Sequence, residues 1–213
     1  MAFKLTKTSY LFPPPSLADP DGLLAFGGDL SVGRLLSAYS SGIFPWYNPG
    51  DELLWWCPRE RFVIFPKEIH VSRSMKRLIR ANEYETRLNA DFAEIVKNCR
   101  QLREGETWIS DEIETAYAAL FGEGYAACVG VYKDGVLVGG LYGVAIGQCF
   151  FGESMFSKVK NASKLALIAL CKVLDEHEFL FVDCQFHTPH LEKMGGRYIS
   201  WLEYSRLLRA GVR

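Results

Sequence analysis

The sequence predicts an α+β fold, a mixed sheet with helices that is preceded by a small α/β N-terminal domain. Three observations support this prediction. Apolar residues recur at helical spacing in several segments after residue 70. The dipeptide Asp134-Gly135 separates two apolar runs, as in a β-hairpin. The segment from Phe179 to Phe186 is a short apolar run typical of a buried strand.

The first 66 residues are predicted to form the small N-terminal domain. Residues 1–22 are rich in Pro, Asp and Ser and indicate an extended stretch, and the rest of this region is aromatic and mostly irregular. Its expected elements are a short helix at 31–41 and strands at 53–56 and 62–65. Residues 67–213 are assigned to a second, larger domain.

The larger domain is expected to contain both helices and a sheet. The expected helices span 72–81, 91–101, 110–122 and 161–176. The expected strands span 128–133, 136–144, 148–152 and 179–186. A strand, a helix and a second strand in this order place the two strands side by side and parallel. We therefore expect the last two strands to be neighbours whose carboxyl ends point the same way.

Polar side chains at the ends of these two strands form the main candidate site. Glu153 ends the first strand, and Asp183 and Gln185 lie two residues apart in the second, so the latter two should share one face. Open α/β sheets bind ligands outside the carboxyl ends of their strands. A hydrogen-bonded pair of strand ends is the structural alternative, and it stays open here. The residues expected to pack into the core on the opposite face are Val182, Cys184 and Phe186.

A stripe of basic residues is the second candidate surface. Arg73, Lys76, Arg77 and Arg80 follow the spacing i, i+3, i+4, i+7 and lie on one side of an expected helix. Such stripes are usually solvated, but four like charges repel one another, and bound phosphates would relieve that repulsion. Both interpretations stay open. Trp46, in a proline-flanked loop, suits stacking on a nucleic-acid base.

Composition limits the classes of function. The net charge of −1 argues against a protein that binds nucleic acid over its whole surface, so an RNA partner would need a local basic patch. The six cysteines form no C-x-x-C pair and the histidines do not complete a zinc spacing, so no metal site is expected. The N-terminal segment does not resemble a signal peptide, and no apolar run reaches membrane-spanning length. We expect a cytoplasmic protein with free thiols and no membrane partner.

Longer motifs give a resemblance to a known family, and they run from residue 12 to about residue 200. They are DGLLAFGGDL at 21–30, GIFPW at 42–46, LWWCP at 54–58, TWI at 107–109, GGLYGV at 139–144, FGESMFS at 151–157, NASK at 161–164 and DCQ at 183–185. In these motifs the chain resembles the leucyl/phenylalanyl-tRNA–protein transferase family. FGESMFS and GIFPW are the most distinctive of them.

The resemblance implies a catalytic domain with a GNAT-like fold behind the small N-terminal domain. It implies an aminoacyltransferase that moves Leu or Phe, with Met as a further candidate, from aminoacyl-tRNA to the N-terminal Arg or Lys of an acceptor protein. The modified protein is then marked for degradation by the N-end rule. No metal or organic cofactor is implied, and we expect a monomer.

The same resemblance implies roles for particular residues. Glu153, Asp183 and Gln185 would form the reaction centre, where Glu153 attracts the cationic acceptor residue. The 3′ adenosine of the tRNA would be held by Trp46 and Trp108. The apolar pocket for the transferred side chain would consist of Leu141, Phe150, Met155, Leu167, Leu170 and Val182. The basic stripe on 72–81 would hold the tRNA backbone.

Two other functions remain open at this point. The strand–helix–strand order is also that of GNAT acyltransferases, which hold the coenzyme A pyrophosphate on a Gly-rich loop before this helix. The segment 159–164 contains no glycine, which weakens that interpretation. The other alternative is a non-catalytic RNA-binding module.

Overall fold

The computed structural model describes residues 2–101 and 107–212. The strands, in chain order, are β1 (Phe3–Leu5), β2 (Leu23–Gly27), β3 (Phe44–Pro45), β4 (Leu54–Trp56), β5 (Glu60–Ile64), β6 (Glu85–Leu88), β7 (Ala126–Lys133), β8 (Val136–Ile146), β9 (Cys149–Ser157), β10 (Phe181–Asp183) and β11 (Arg197–Ser200). The helices are α1 (Val32–Ser40), α2 (Arg73–Ala81), α3 (Phe92–Gln101), α4 (Asp111–Gly122), α5 (Ala162–Glu176), α6 (Pro189–Lys193) and α7 (Trp201–Gly211). The five expected helices are confirmed as α1 to α5, each within one residue at either end.

Serine side chains define where two of these helices begin. The Oγ of Ser72 accepts a hydrogen bond from the backbone N–H of Met75 at 3.3 Å, and the Oγ of Ser110 accepts one from Ile113 at 3.2 Å. Each bond satisfies one of the backbone donors that the first turn of a helix leaves unpaired. Helix α2 then ends at Asn82, which adopts the left-handed conformation that commonly closes a helix.

The described strands form two sheets. The smaller has the order β1-β2-β4-β3, and the larger has the order β11-β5-β10-β9-β8-β7-β6. In the larger sheet β9 and β10 are parallel, and the pairs β7–β8 and β8–β9 are antiparallel. The expected hairpin, the third antiparallel strand and the parallel crossover through α5 are therefore confirmed. The predicted α+β fold with a mixed sheet is confirmed as well.

The two parallel strands differ in length, and this difference opens the sheet. β10 pairs with β9 only from Phe181 opposite Cys149 to Asp183 opposite Phe151. Beyond that point β9 continues to Ser157 while β10 has ended, so the second half of β9 is bonded to β8 alone. We refer to the second half of β9 and the chain that follows β10 as the two arms of a V, and the candidate site lies between them.

The predicted C-terminal ends of β9 and β10 were wrong. Glu153 lies inside β9, not at its end, because β9 runs on to Ser157. β10 stops at Asp183, not at residue 186, because Gln185 adopts a left-handed backbone conformation with φ 57° that ends the extended chain. For the same reason Asp183 and Gln185 do not share one strand face. Phe186, expected in the core, is 40% exposed.

The two faces of the large sheet are covered by different layers. On one face Leu141 and Phe150 pack with Leu167 and Leu170 of α5 in one hydrophobic cluster. On the other face the side chains that alternate with them, such as Tyr142 and Phe151, join a second cluster. That second cluster also contains residues of α1, α4 and the smaller sheet: Leu35, Tyr39, Trp55 and Tyr117.

The smaller sheet uses only β1 to β4, and several of its strands lie in a stretch that the sequence predicts to be irregular. β5 precedes the boundary expected at residue 66, yet it pairs with β10 and β11 in the larger sheet. We therefore propose that the division between the two domains falls between β4 and β5.

Candidate active site

A cavity of about 670 Å³ occupies the opening of the V. Its walls come from β8, β9, α5, the end of β10 and the loops that carry Trp46 and Trp108. All six residues expected to form the apolar pocket line it: Leu141, Phe150, Met155, Leu167, Leu170 and Val182. Five of them are buried and Met155 is half-buried, so the inner end of the cavity is an apolar chamber between the sheet and α5.

Glu153 lies where the regular pairing of β9 is interrupted. Tyr142 of β8 is opposite Ser154, but the next residue, Gly143, is opposite Gly152, so Glu153 is the extra residue of a β-bulge. Its neighbours Ser154 and Met155 return to the ladder opposite Tyr142 and Leu141. The bulge is what turns this carboxylate into the cavity without displacing the residues on either side.

Two tyrosine hydroxyls hold the Glu153 carboxylate. Tyr39 of α1 donates to its Oε1 at 2.6 Å, and Tyr117 of α4 donates to its Oε2 at 2.9 Å. The two hydroxyl oxygens also lie in contact with each other, although each hydroxyl has a single proton and donates it to Glu153. Burial raises the pKa of Glu153 to about 7, although the hydrogen bonds from the two tyrosines lower it. The carboxyl group therefore changes its charge in the neutral pH range.

The sequence analysis did not identify these two tyrosines. The position of Tyr39, four residues after Leu35 on α1, indicates only a buried helix face. Nothing in the spacing shows that its hydroxyl reaches a carboxylate 114 residues away. Such a long-range contact follows from the packing of α1 and α4 against the sheet.

Asp183 is fully buried and is held by a positive charge. Arg61 of β5 donates from Nη2 to its Oδ2 at 2.6 Å and from Nε to its Oδ1 at 3.2 Å. The Tyr204 hydroxyl also donates to its Oδ2, at 2.7 Å. Asp183 does not line the cavity, whereas Gln185 does. The expectation that both side chains face the reacting groups therefore does not hold for Asp183, whose carboxylate is taken up by this buried network.

Asp183 is instead connected to Gln185 through the backbone. The backbone N–H of Gln185 donates to Oδ1 of Asp183 at 2.9 Å. This bond fixes the left-handed turn that directs Gln185 into the cavity. The sequence analysis did not single out Arg61, but a charged residue within the apolar strand Glu60–Ile64 is the same signal that pointed to Asp183.

Both tryptophans line the cavity. Trp46 is 44% exposed, and its ring centroid lies 5.4 Å from that of Phe186 and 5.7 Å from that of Trp56. Trp108 is nearly buried. The structure therefore brings both residues to one cavity, and the exposed rings of Trp46 and Phe186 form an aromatic surface at its mouth.

The basic stripe lies apart from the cavity. Arg73, Lys76, Arg77 and Arg80 are all exposed on α2, and none of them lines the cavity. Within the described residues none of the four forms an ion pair with an acidic side chain. Both interpretations of the stripe, solvated face or phosphate-binding face, are compatible with this position.

The described residues contain no group of three or more His, Cys, Asp or Glu side chains arranged to hold a metal ion. In the same part of the chain, every helix is too short or too polar to cross a bilayer.

Comparison with known proteins connects this site to a family. Residues 63–209 match the family described as leucyl/phenylalanyl-tRNA protein transferase, and residues 28–59 match its N-terminal domain. A leucyl/phenylalanyl-tRNA–protein transferase from Syntrophus aciditrophicus (strain SB) is 50% identical over 207 residues, which are 95% of this chain and 86% of that protein. One from Nitrosomonas eutropha (strain DSM 101675 / C91 / Nm57) is 49% identical over 92% of this chain and 86% of that protein.

Among solved structures the likeness is lower. A ribosomal-protein-alanine N-acetyltransferase from Brucella melitensis biovar Abortus 2308 matches with a TM-score of 0.34 and 14% identity, over 45% of this chain and 74% of that one. The sequence matches cover nearly the whole chain. The chain belongs to the leucyl/phenylalanyl-tRNA–protein transferase family.

Proposed function

We propose that this protein transfers leucine or phenylalanine, and methionine as a further donor residue, from an aminoacyl-tRNA to the N-terminal Arg or Lys of an acceptor protein. The observation that carries the proposal is the lining of the cavity. It combines apolar side chains between the sheet and α5, the polar side chains of Glu153 and Gln185, and the rings of Trp46 and Trp108. These three groups suit, in order, an apolar side chain, a reacting ester and a nucleoside.

The donor would enter with its side chain first. Leu141, Phe150 and Val182 close the chamber from the sheet, and α5 closes it from the opposite side. The 3′ adenosine would remain at the mouth, where the exposed ring of Trp46 can stack on a base. In this arrangement the ester bond would lie between the apolar chamber and the adenosine, near Glu153 and Gln185.

The acceptor would approach from the side of Glu153. An ionised carboxylate that is held by two neutral hydroxyls keeps its negative charge available for a cationic Arg or Lys side chain. The α-amine of an acceptor has an unperturbed pKa near 8, so part of it is neutral and nucleophilic at pH 7. A strong general base is therefore not required.

The reaction needs one bond to form and one to break. The amine nitrogen attacks the ester carbonyl carbon, the bond from this carbon to the ribose oxygen breaks, and the proton lost by the amine ends on that oxygen. Holding the two reactants in contact is worth about 7–11 kcal/mol in well-oriented systems. Gln185 is placed to hydrogen-bond the reacting groups, and Asp183 fixes the turn that carries Gln185.

The α2 stripe would hold the tRNA by its phosphates, which all tRNAs share. We place the activity in the cytoplasm, where charged tRNA is made, and expect the protein to act as a monomer.

The test uses radiolabelled Leu-tRNA and Phe-tRNA with one acceptor protein made in two forms. In one form the N-terminal residue is Arg, and in the matched control it is Ala. Label should pass to the Arg form over many turnovers without ATP. Robust acetylation from acetyl-coenzyme A with no transfer from tRNA would support an acyl-coenzyme A enzyme instead. Binding of tRNA without turnover would support an RNA-binding module.

A further inference from the structure

Ser154 is the next residue after Glu153 and carries a hydroxyl that the fold leaves unused. Its side chain lines the cavity and is 7% exposed. Its Oγ is buried and has no hydrogen-bond partner within the described residues. A buried hydroxyl without a partner costs free energy that an alanine at the same position would not. This cost indicates that the partner of the hydroxyl is a molecule that enters the cavity.

The pairing of β8 with β9 locates this hydroxyl. Ser154 is opposite Tyr142, and Met155 is opposite Leu141, so the two neighbours point to opposite faces of the sheet. Met155 faces the α5 side, which forms the apolar chamber, and Ser154 faces the side on which Tyr39 and Tyr117 hold Glu153. The hydroxyl therefore lines the cavity on the Glu153 side of β9, and this is the side on which the groups on the α-carbon of a donor residue would lie if its side chain fills the apolar chamber.

The charges around the cavity decide which of those groups it meets. Among the described residues that line the cavity, the carboxylate is Glu153 and the imidazole is His190, and no Lys or Arg is present. Burial and the nearby Lys164 lower the pKa of His190, so it stays neutral at neutral pH. A negative carboxylate beside Ser154 favours an amino group there and disfavours the developing oxyanion of the ester carbonyl. The amide of Gln185, on the other arm of the V, remains for that carbonyl.

We propose that the Oγ of Ser154 accepts a hydrogen bond from the free α-amino group of the aminoacyl donor. Ser154 is then a specificity residue that selects donors with an unmodified amino group. This inference rests on the proposed function, because it needs an aminoacyl ester in the cavity.

The experiment pairs the loss of the enzyme hydroxyl with the loss of the substrate amino group. The donors are Phe-tRNA and tRNA acylated with 3-phenylpropionate, which has the same side chain but no amino group. The enzymes are wild type, Ser154→Ala and the control Ser205→Ala, which removes a hydroxyl from α7, outside the cavity. With Phe-tRNA, Ser154→Ala should lower kcat/KM by about tenfold, as expected for a lost hydrogen bond to an amino or ammonium group. With the 3-phenylpropionyl donor, the same substitution should change kcat/KM by less than about twofold.

Each other outcome has a definite meaning. Equal losses with both donors would overturn the proposal, since the hydroxyl would then contact another atom or serve only the fold. No loss with either donor would overturn it too, and Ser205→Ala should stay within about twofold of wild type with both. If Ser154→Ala does not fold, Ser154→Cys keeps the volume with a weaker acceptor and must show the same dependence on the donor. Transfer from neither donor by the wild type would refute the proposed function itself, and this inference with it.

Discussion

Each arm of the V carries one carboxylate near the cavity, but the two carboxylates have different hydrogen-bond partners. On β9, Glu153 is held by two neutral hydroxyls and reaches the cavity. On β10, Asp183 is paired with Arg61 and lies outside the cavity. A carboxylate with neutral partners can still attract a cationic substrate, whereas one that is paired with arginine is already neutralised. We propose that Glu153 binds the substrate and that Asp183 positions Gln185, whereas the sequence analysis expects both carboxylates at the reaction centre.

The largest expected effect is the loss of stability when the Arg61–Asp183 pair is broken. Because both side chains are buried, Arg61→Ala or Asp183→Ala leaves an unpaired charge, which costs about 3–5 kcal/mol in the free energy of unfolding. The control is Arg197→Ala, which removes the exposed pair with Glu68 and should cost no more than about 1 kcal/mol. Urea unfolding measures both. Similar small losses in the two variants would contradict a structural role for Asp183.

A second prediction distinguishes the role of Gln185 from that of Asp183, which fixes the turn that carries it. Gln185→Ala should lower kcat about 10²-fold, as losses of one positioned donor do, with little change in tRNA affinity. Its stability should stay near that of wild type, since the backbone bond to Asp183 remains. Asp183→Ala should lower both turnover and stability.

The control for this second prediction is Gln148→Ala, an exposed glutamine outside the cavity, which should leave kcat unchanged. Near wild-type turnover of Gln185→Ala would move the reaction centre away from the β10 arm.

The role of Glu153 on β9 is tested by the pH dependence of acceptor preference. With a pKa of about 7, the Glu153 carboxyl is ionised to roughly a tenth at pH 6 and nine tenths at pH 8. The preference for an acceptor with N-terminal Arg over one with N-terminal Ala should therefore rise by up to about tenfold across this range. Comparing two acceptors cancels most of the titration of their α-amines. Glu153→Gln should show a preference that does not change with pH, and a slope retained in this variant would assign the titration to another group.

The same raised pKa affects stability in a defined direction. The folded state favours the protonated carboxyl, so Glu153 costs no stability below its ordinary value of 4.5 and an increasing amount as pH rises through about 7. Measured at pH 8, Glu153→Gln should therefore raise the free energy of unfolding, by on the order of 2 kcal/mol. At pH 4 the two proteins should be nearly equal. A variant less stable than wild type at pH 8 would contradict the raised pKa.

The smallest effect concerns the α2 stripe, which lies outside both arms. Arg77→Ala should weaken binding of leucyl-tRNA and phenylalanyl-tRNA alike, and reduce the magnitude of the salt slope by somewhat under ~1. Turnover at saturating tRNA should not change. The control is Arg209→Ala, which removes an exposed arginine from α7. If Arg73→Ala, Arg77→Ala and Arg80→Ala all leave affinity and slope unchanged, the stripe is a solvated face.

Much of the fold could be predicted from local sequence patterns, but the candidate site could be predicted only in part. The helices and the hairpin at Asp134-Gly135 were predictable because periodicity and turn chemistry act over a few residues. The apolar pocket residues were predictable through motifs, and the structure gathers them in one cavity. The tyrosines around Glu153 and the partner of Asp183 were not, because their contacts join residues more than 30 positions apart.

The bulge at Glu153 makes the length of this strand as important as its composition. Removing Glu153 would let Gly152 and Ser154 pair with β8 as regular neighbours, but the carboxylate would be lost. Removing a residue elsewhere in the second half of β9 would keep the glutamate. It would, however, shift the register of β9 against β8 by one residue, so that the following side chains would exchange the two faces of the sheet. An insertion or deletion that any surface loop would absorb cannot be absorbed here, so this motif has a fixed number of residues as well as a fixed chemistry.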